Sequence, residues 1–123
     1  MQLPAVTVAG SGVLAIGGLD AADASVASIV RVATAPPVRA RVIGTLPAAL
    51  HDAAAATVNG ASFLLGGGDA GAGLPQVLRI LPSGRTRAAE SLPAAAGGRI
   101  LVLGGRDARG GVRDEVRLLE PRP

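Results

Sequence analysis

The feature that most constrains this chain is an internal repeat of about 45 residues. Three times, a short apolar run ends in a pair of glycines, and each pair is followed by a loop that carries an aspartate. Leu-Pro pairs open the repeat units, and their leucines, at positions 3, 46 and 92, lie 43 and 46 residues apart. This period is typical of proteins built from four-stranded antiparallel blades. The glycine pairs are Gly17 with Gly18, Gly66 with Gly67, and Gly104 with Gly105.

The repeat predicts one all-β domain over residues 1–123, divided into units at about 3–45, 46–91 and 92–121. The middle unit is the only one in which we predict all four strands. Asn59-Gly60 between its first two strands is a strong hairpin signal, because a type I′ turn requires positive φ at both central residues. Pro82-Ser83-Gly84 marks a further reversal. The predicted strands are His51 to Val58, Ala61 to Leu65, Gln76 to Leu81 and Arg85 to Glu90.

The outer two units are shorter than the middle one before their glycine pairs. Pro4 to Gly17 spans 13 residues and Pro93 to Gly104 spans 11, against 19 from Pro47 to Gly66. We therefore expect the first and third units to have lost most of their innermost strand. Glycine and proline disfavour helix throughout, except in the Ala-rich stretch 47–56, whose composition would permit one.

The middle unit carries a resemblance to a known family. The run from His51 to Gly60, followed by Ala61 to Gly67, resembles a kelch repeat: a His-x-Ala opening strand, a hairpin turn and an apolar strand that ends in a glycine pair. The resemblance implies a kelch-type β-propeller, although the family's Tyr and Trp are missing from every unit. Closed propellers have about four to eight blades. One copy is therefore expected to be an open, partial propeller, either part of a longer protein or completed by self-association.

Composition limits the chemistry of the chain. It has no Cys, no Tyr and one His, so no thiolate metal site or His cluster is expected, and we predict no metal, no cofactor and no catalytic residue. The 12 basic residues are interspersed with acidic ones and no aromatic platform accompanies them, which disfavours nucleic-acid binding. Neither a signal peptide nor a membrane span is indicated, and the default expectation is a cytoplasmic protein without membrane contact.

Two groups of residues are candidates for binding or for structural roles. The resemblance gives His51 and the glycine pairs structural roles: a hydrogen bond at the inner end of the blade, and close approach of the backbone where a Cβ would not fit. A general-base role for His51 with Asp52 is the alternative. The loops after the glycine pairs are candidate ligand contacts, with turn stabilisation as the alternative for their aspartates. Their charged residues are Asp20, Asp69, Asp107, Arg106, Arg109 and Arg113.

We therefore expect a non-catalytic propeller module that binds a protein or a small ligand. Two alternatives stay open. One is a domain of a carbohydrate-active enzyme of the galactose-oxidase or sialic-acid-epimerase type, and the other is a truncated product without a function of its own. The copper ligands implied by the galactose-oxidase type are Tyr, Cys and His, and this chain cannot supply them.

Overall fold

A computed structural model describes residues 1–69, 72–73, 77–89, 100–106, 109 and 111–119. All regular structure in these residues is β-strand, so the predicted all-β class is confirmed. None of them belongs to a helix long and apolar enough to cross a membrane. The strands are β1 (Ala5–Ala9), β2 (Gly12–Ile16), β3 (Val26–Ala33), β4 (Arg39–Val58), β5 (Ala61–Asp69), β6 (Ala72–Gly73), β7 (Val77–Ile80), β8 (Thr86–Ala88), β9 (Ile100–Arg106) and β10 (Val112–Leu119).

The long strand β4 divides the main sheet into two halves. Its residues 39–45 pair with β3, and its residues 51–58 pair with β5, antiparallel in both cases. We call β1, β2, β3 and residues 39–45 the first half-sheet. The second half-sheet is residues 51–58 with β5, β7 and β8, and the short β6 pairs with the end of β5. Each half is a four-stranded antiparallel meander. The hairpin of β9 and β10 forms a separate two-stranded sheet.

Tight turns join neighbouring strands of the second half-sheet. Asn59 and Gly60 have φ values of 50° and 77°, which confirms the predicted turn with two positive φ angles. The reversal between β7 and β8 is closed by a hydrogen bond from the Gly84 N–H to the Leu81 carbonyl at 2.8 Å, and the Leu81 N–H donates to the Arg85 carbonyl at 2.8 Å. The expected turn at 82–84 is therefore also confirmed.

The two half-sheets pack against each other through an apolar core. Its largest members in the first half-sheet, Leu14, Ile16 and Ile29, lie on one face, because they alternate along their strands and Ile16 stands opposite Ile29. Burial of each such side chain contributes about 1.5–3 kcal/mol to folding. Facing them from the second half-sheet are Leu64, Leu78 and Ile80, while Leu46 and Leu50 come from the segment of β4 that passes between the halves.

Polar and glycine contacts fix the same packing at two further points. The Thr7 and Thr57 hydroxyls lie 2.9 Å apart, and Thr57 also contacts the hydroxyl of the buried Ser62 at 3.0 Å. Counted from the glycine pairs, Thr57 corresponds to Val8 and not to Thr7, so this contact joins opposite faces of the two half-sheets. Elsewhere, Gly44 lies against the backbone of Gly84, where a Cβ on either residue would collide with the other segment.

Three sequence expectations differ from the structure. The first unit keeps a five-residue inner strand, β1, which pairs along all of β2, so this strand is shortened rather than lost. The stretch 47–56, whose composition permits a helix, is extended because it must run from one half-sheet to the other. Strand β5 does not end at Leu65 but continues through the glycine pair to Asp69. The shortening expected between Pro93 and Gly104 falls mostly outside the described residues.

Candidate functional site

A hydrogen-bonded cluster of three polar side chains lies where the two half-sheets meet. Ser25 precedes β3, His51 begins the part of β4 that belongs to the second half-sheet, and Asp69 ends β5. The Ser25 hydroxyl donates to Asp69 Oδ1 at 2.7 Å, and its oxygen lies 2.8 Å from His51 Nδ1. A serine hydroxyl has one hydrogen to donate. Because Asp69 receives it, the Nδ1–H of His51 must donate to Ser25.

Asp52 places a second carboxylate beside this cluster. Its side chain is 65% exposed, and its Oδ2 lies 3.7 Å from His51 Nε2, which is too long for a hydrogen bond. The backbone of Asp52 has a φ of 56°, a left-handed conformation that Asp adopts more readily than most residues. This conformation falls inside an otherwise regular strand pairing, since His51 and Ala53 on either side are both in register with β5.

The floor of the cluster is built by the glycine pairs around Leu50, which is 1% exposed. The N–H of Gly18 donates to the Leu50 carbonyl at 2.8 Å. A Cβ on Gly17 would lie 2.6 Å from that carbonyl oxygen, and a Cβ on Gly67 would lie 2.9 Å from the His51 carbonyl oxygen. A Cβ would therefore not fit at Gly17 or Gly67, as expected for the glycine pairs. Gly66 differs, because a Cβ there would meet open space. The close packing fixes the backbone that carries His51.

The direction of the hydrogen bonds decides what this cluster can do. In a Ser-His-Asp triad the imidazole accepts the serine proton, which makes the serine a nucleophile. Here Ser25 donates to the carboxylate and accepts from the imidazole, so its oxygen is not activated in this way. The groups that remain available are His51 Nε2, the exposed carboxylate of Asp52 and the second carboxylate oxygen of Asp69. The cluster thus offers hydrogen-bond acceptors on a fixed backbone, which suits ligand binding.

Asp20, the aspartate of the first loop, stabilises its own turn. Its Oδ1 accepts the backbone N–H groups of Ala22 at 2.8 Å and Ala24 at 3.0 Å. The hydrogen bonds from Ala24 and then Ala22 lower the pKa of the Asp20 carboxyl below its ordinary value, because they stabilise the charged form. This geometry matches the turn-stabilising alternative.

The other sequence candidates are distributed between two places. Asp69 joins His51 in the cluster, which sequence reasoning did not anticipate, and Ser25 was not a candidate at all. Around the third loop, Arg106 ends β9, Arg113 is the second residue of β10, and the exposed Arg109 lies between the strands. Gly104 and Gly105 fall within β9, and Asp107 lies outside the described residues. In the described part of the chain, no three His, Cys, Asp or Glu residues are grouped as a metal site.

Comparison with known proteins gives a structural likeness and no match of sequence. No family model and no curated protein matches the chain. Among 59 solved chains that resemble it is the structure titled "Structure of YjhT", with a TM-score of 0.73 and 14% identity. The likeness covers 96% of this chain and 42% of YjhT, so the chain spans about two fifths of the length of that protein. At this level of identity, the chain is similar to YjhT in fold alone.

Proposed function

We propose that the chain is a non-catalytic, kelch-like β-propeller module that binds a protein or small ligand through the loops beside its glycine pairs. It would act as part of a larger propeller or after self-association. The observation that carries the proposal is the stacking of two equivalent four-stranded half-sheets. Opposite faces of the two half-sheets meet in this stacking, as at Thr7 and Thr57, whose hydroxyls lie 2.9 Å apart, and this is the relation between neighbouring blades of a propeller.

The cluster of Ser25, His51 and Asp69 supports the binding role. It joins a loop of the first half-sheet to two strands of the second, so a ligand bound there would contact both units. The Asp69 and Asp52 carboxylates favour a partner that carries hydrogen-bond donors or positive charge. Loops held on a rigid scaffold are common binding sites, because the scaffold limits the conformational entropy lost on binding.

A selection experiment tests the binding role. The immobilised chain is used to select from a phage-displayed random peptide library, and enriched peptides are measured against Asp69→Asn by biolayer interferometry. We expect binding to weaken about tenfold or more, the usual effect of losing a hydrogen bond to a charged group. Asp23→Asn, which removes the same charge from an exposed loop, should leave binding within about twofold. Failure to enrich any peptide, or equal binding by both variants, would contradict the proposal.

The non-catalytic part of the proposal has its own test. We expect the hydrolysis of p-nitrophenyl acetate by the wild-type chain to equal that of Ser25→Ala, because the Ser25 proton is directed to Asp69 and not to an imidazole base. A rate that falls to the background level in Ser25→Ala would show that Ser25 is a nucleophile. That result would favour the enzyme-domain alternative.

A further inference from the structure

The first half-sheet has a largely apolar face that points away from the second half-sheet. Its edge residues are well exposed: Val6 by 55%, Val8 by 66% and Val42 by 62%. Cross-strand register and the alternation of side chains place the remaining members on the same face. We call this surface the open face; it consists of Val6, Val8, Val13, Ala15, Val30, Val32, Ala40 and Val42. By the same alternation, Ser28 and Thr45 lie next to Val30 and Val42 at one end of this face.

The second half-sheet shows what such a face does in this fold. Counted from the glycine pairs, Ala15 and Val30 of the open face correspond to Leu64 and Leu78. Leu64 and Leu78 are 1% and 3% exposed, because they pack on the first half-sheet. The open face therefore has the position and the apolar character of a surface that accepts a neighbouring unit. Exposed apolar surfaces of this kind mark interaction sites.

The hairpin of β9 and β10 has the residue pattern of a complementary surface. Leu101 stands opposite Leu118, and Leu103 stands opposite Val116. Counted from Gly104, these two pairs occupy the positions that Leu14 with Arg31 and Ile16 with Ile29 hold in the first half-sheet. Those positions form the surface on which a neighbouring unit packs. In the third unit all four of them are apolar, with Leu118 in place of an arginine.

We propose that the open face binds the third unit of a second copy of this chain, so that two copies associate head to tail. This inference rests on the proposed propeller function and names its partner. The open face and the third unit lie at opposite ends of the repeat order, so their pairing continues the unit-on-unit interface already present within the chain. One copy covers 42% of YjhT, so two copies approach the length of that larger chain. A head-to-tail interface that closes after two copies leaves neither end exposed.

Light scattering after size exclusion tests the inference with the full chain. The wild type should have twice the 12.0 kDa mass of one copy. Val8→Lys and Val42→Lys introduce a charge at exposed positions of the open face, so both should give the mass of one copy with an unchanged far-UV circular dichroism spectrum. Ala21→Lys adds the same charge to an exposed loop and should leave the mass doubled. A monomeric wild type, or a dimer that survives both valine substitutions, would overturn the inference.

A mixing experiment distinguishes head-to-tail pairing from pairing of two open faces. Leu118→Lys should dissociate the dimer by itself, and an equimolar mixture of Leu118→Lys with Val8→Lys should partly restore the doubled mass, because one interface in the mixed pair is intact. If Leu118→Lys stays dimeric, the open faces pair with each other and the inference fails. In that case the packing of the two half-sheets within one copy would be unaffected, so the propeller proposal would still stand.

Discussion

Gly67 gives the sharpest test of how β5 lies against β4, because its neighbour Gly66 provides a matched control. Both glycines have left-handed φ angles, 81° for Gly67 and 68° for Gly66. A Cβ on Gly67 would lie 2.8 Å from the Cβ of Ala53 and 2.9 Å from the His51 carbonyl oxygen. A Cβ on Gly66 would meet no atom within 4 Å. The two alanine variants thus share the backbone strain and differ in the clash.

The expected losses of unfolding free energy follow from this difference. Gly66→Ala places a Cβ in a left-handed conformation at a loss of about 1–2 kcal/mol. Reduced entropy of the unfolded chain offsets about 0.4–1 kcal/mol of it. Gly67→Ala has the same backbone strain and the same gain from reduced entropy of the unfolded chain. In addition, its Cβ overpacks the site, which typically raises the loss of unfolding free energy by about 1–3 kcal/mol. We therefore expect Gly67→Ala to be the less stable variant by about 1–3 kcal/mol.

Urea unfolding followed by far-UV circular dichroism measures both variants, since the chain has no Trp or Tyr to serve as a fluorescent probe. In thermal unfolding the same difference should lower the Tm of Gly67→Ala by roughly 4 °C for each kcal/mol. Equal stability of the two variants would refute the reasoning, because it would mean that His51 and Ala53 do not lie against Gly67.

Two further predictions concern Leu50 and Asp20. Leu50→Ala should lower the free energy of unfolding by about 2–5 kcal/mol, because Leu50 is buried where both glycine pairs meet. The control Leu3→Ala, at a position 54% exposed, should change the free energy of unfolding by less than about 0.5 kcal/mol. If urea unfolding gave similar losses for the Leu50 and Leu3 variants, the packing around Leu50 would be contradicted. For Asp20, a carboxyl titration followed by NMR should give a pKa below the ordinary aspartate value. Since the folded-state pKa is the lower one, the stabilising contribution of Asp20 is present above the unfolded-state pKa and is lost as the pH falls through the folded-state pKa. Asp20→Ala should lack this loss of stability at acid pH. An Asp20 pKa at the ordinary aspartate value would contradict the hydrogen bonds from Ala22 and Ala24.

The turns and most strands of this fold can be predicted from sequence, because interactions between residues close in the chain determine them. Asn59-Gly60 predicted its turn since few other pairs tolerate two positive φ angles. The strand that follows the second loop was found near its predicted bounds, at Val77–Ile80 against a predicted Gln76 to Leu81. The end of β5 was misjudged because a glycine pair normally signals a bend, whereas hydrogen bonding to β4 and β6 extends the strand to Asp69.

The candidate site was less predictable because it depends on contacts between distant segments. Ser25 lies 26 residues from His51 and 44 from Asp69 along the chain, and only the stacking of the half-sheets brings the three together. An isolated serine at the start of a strand gives no signal of such a role. The sequence predicted His51 at the start of a strand and Asp69 in the loop after a glycine pair, but it could not indicate that these positions meet.

The stacking of two equivalent half-sheets is the central claim, and a disulfide tests it most directly. The chain has no cysteine of its own, and the Thr7 and Thr57 hydroxyls lie 2.9 Å apart. Thr7→Cys with Thr57→Cys should therefore form an intramolecular disulfide on oxidation, and closing a loop of this length should stabilise the protein by about 4 kcal/mol at most. Thr34→Cys with Thr57→Cys is the control and should keep two free thiols, because Thr34 contacts Ser11 instead. Two free thiols in the Thr7 and Thr57 pair, or cross-links only between molecules, would contradict the stacking.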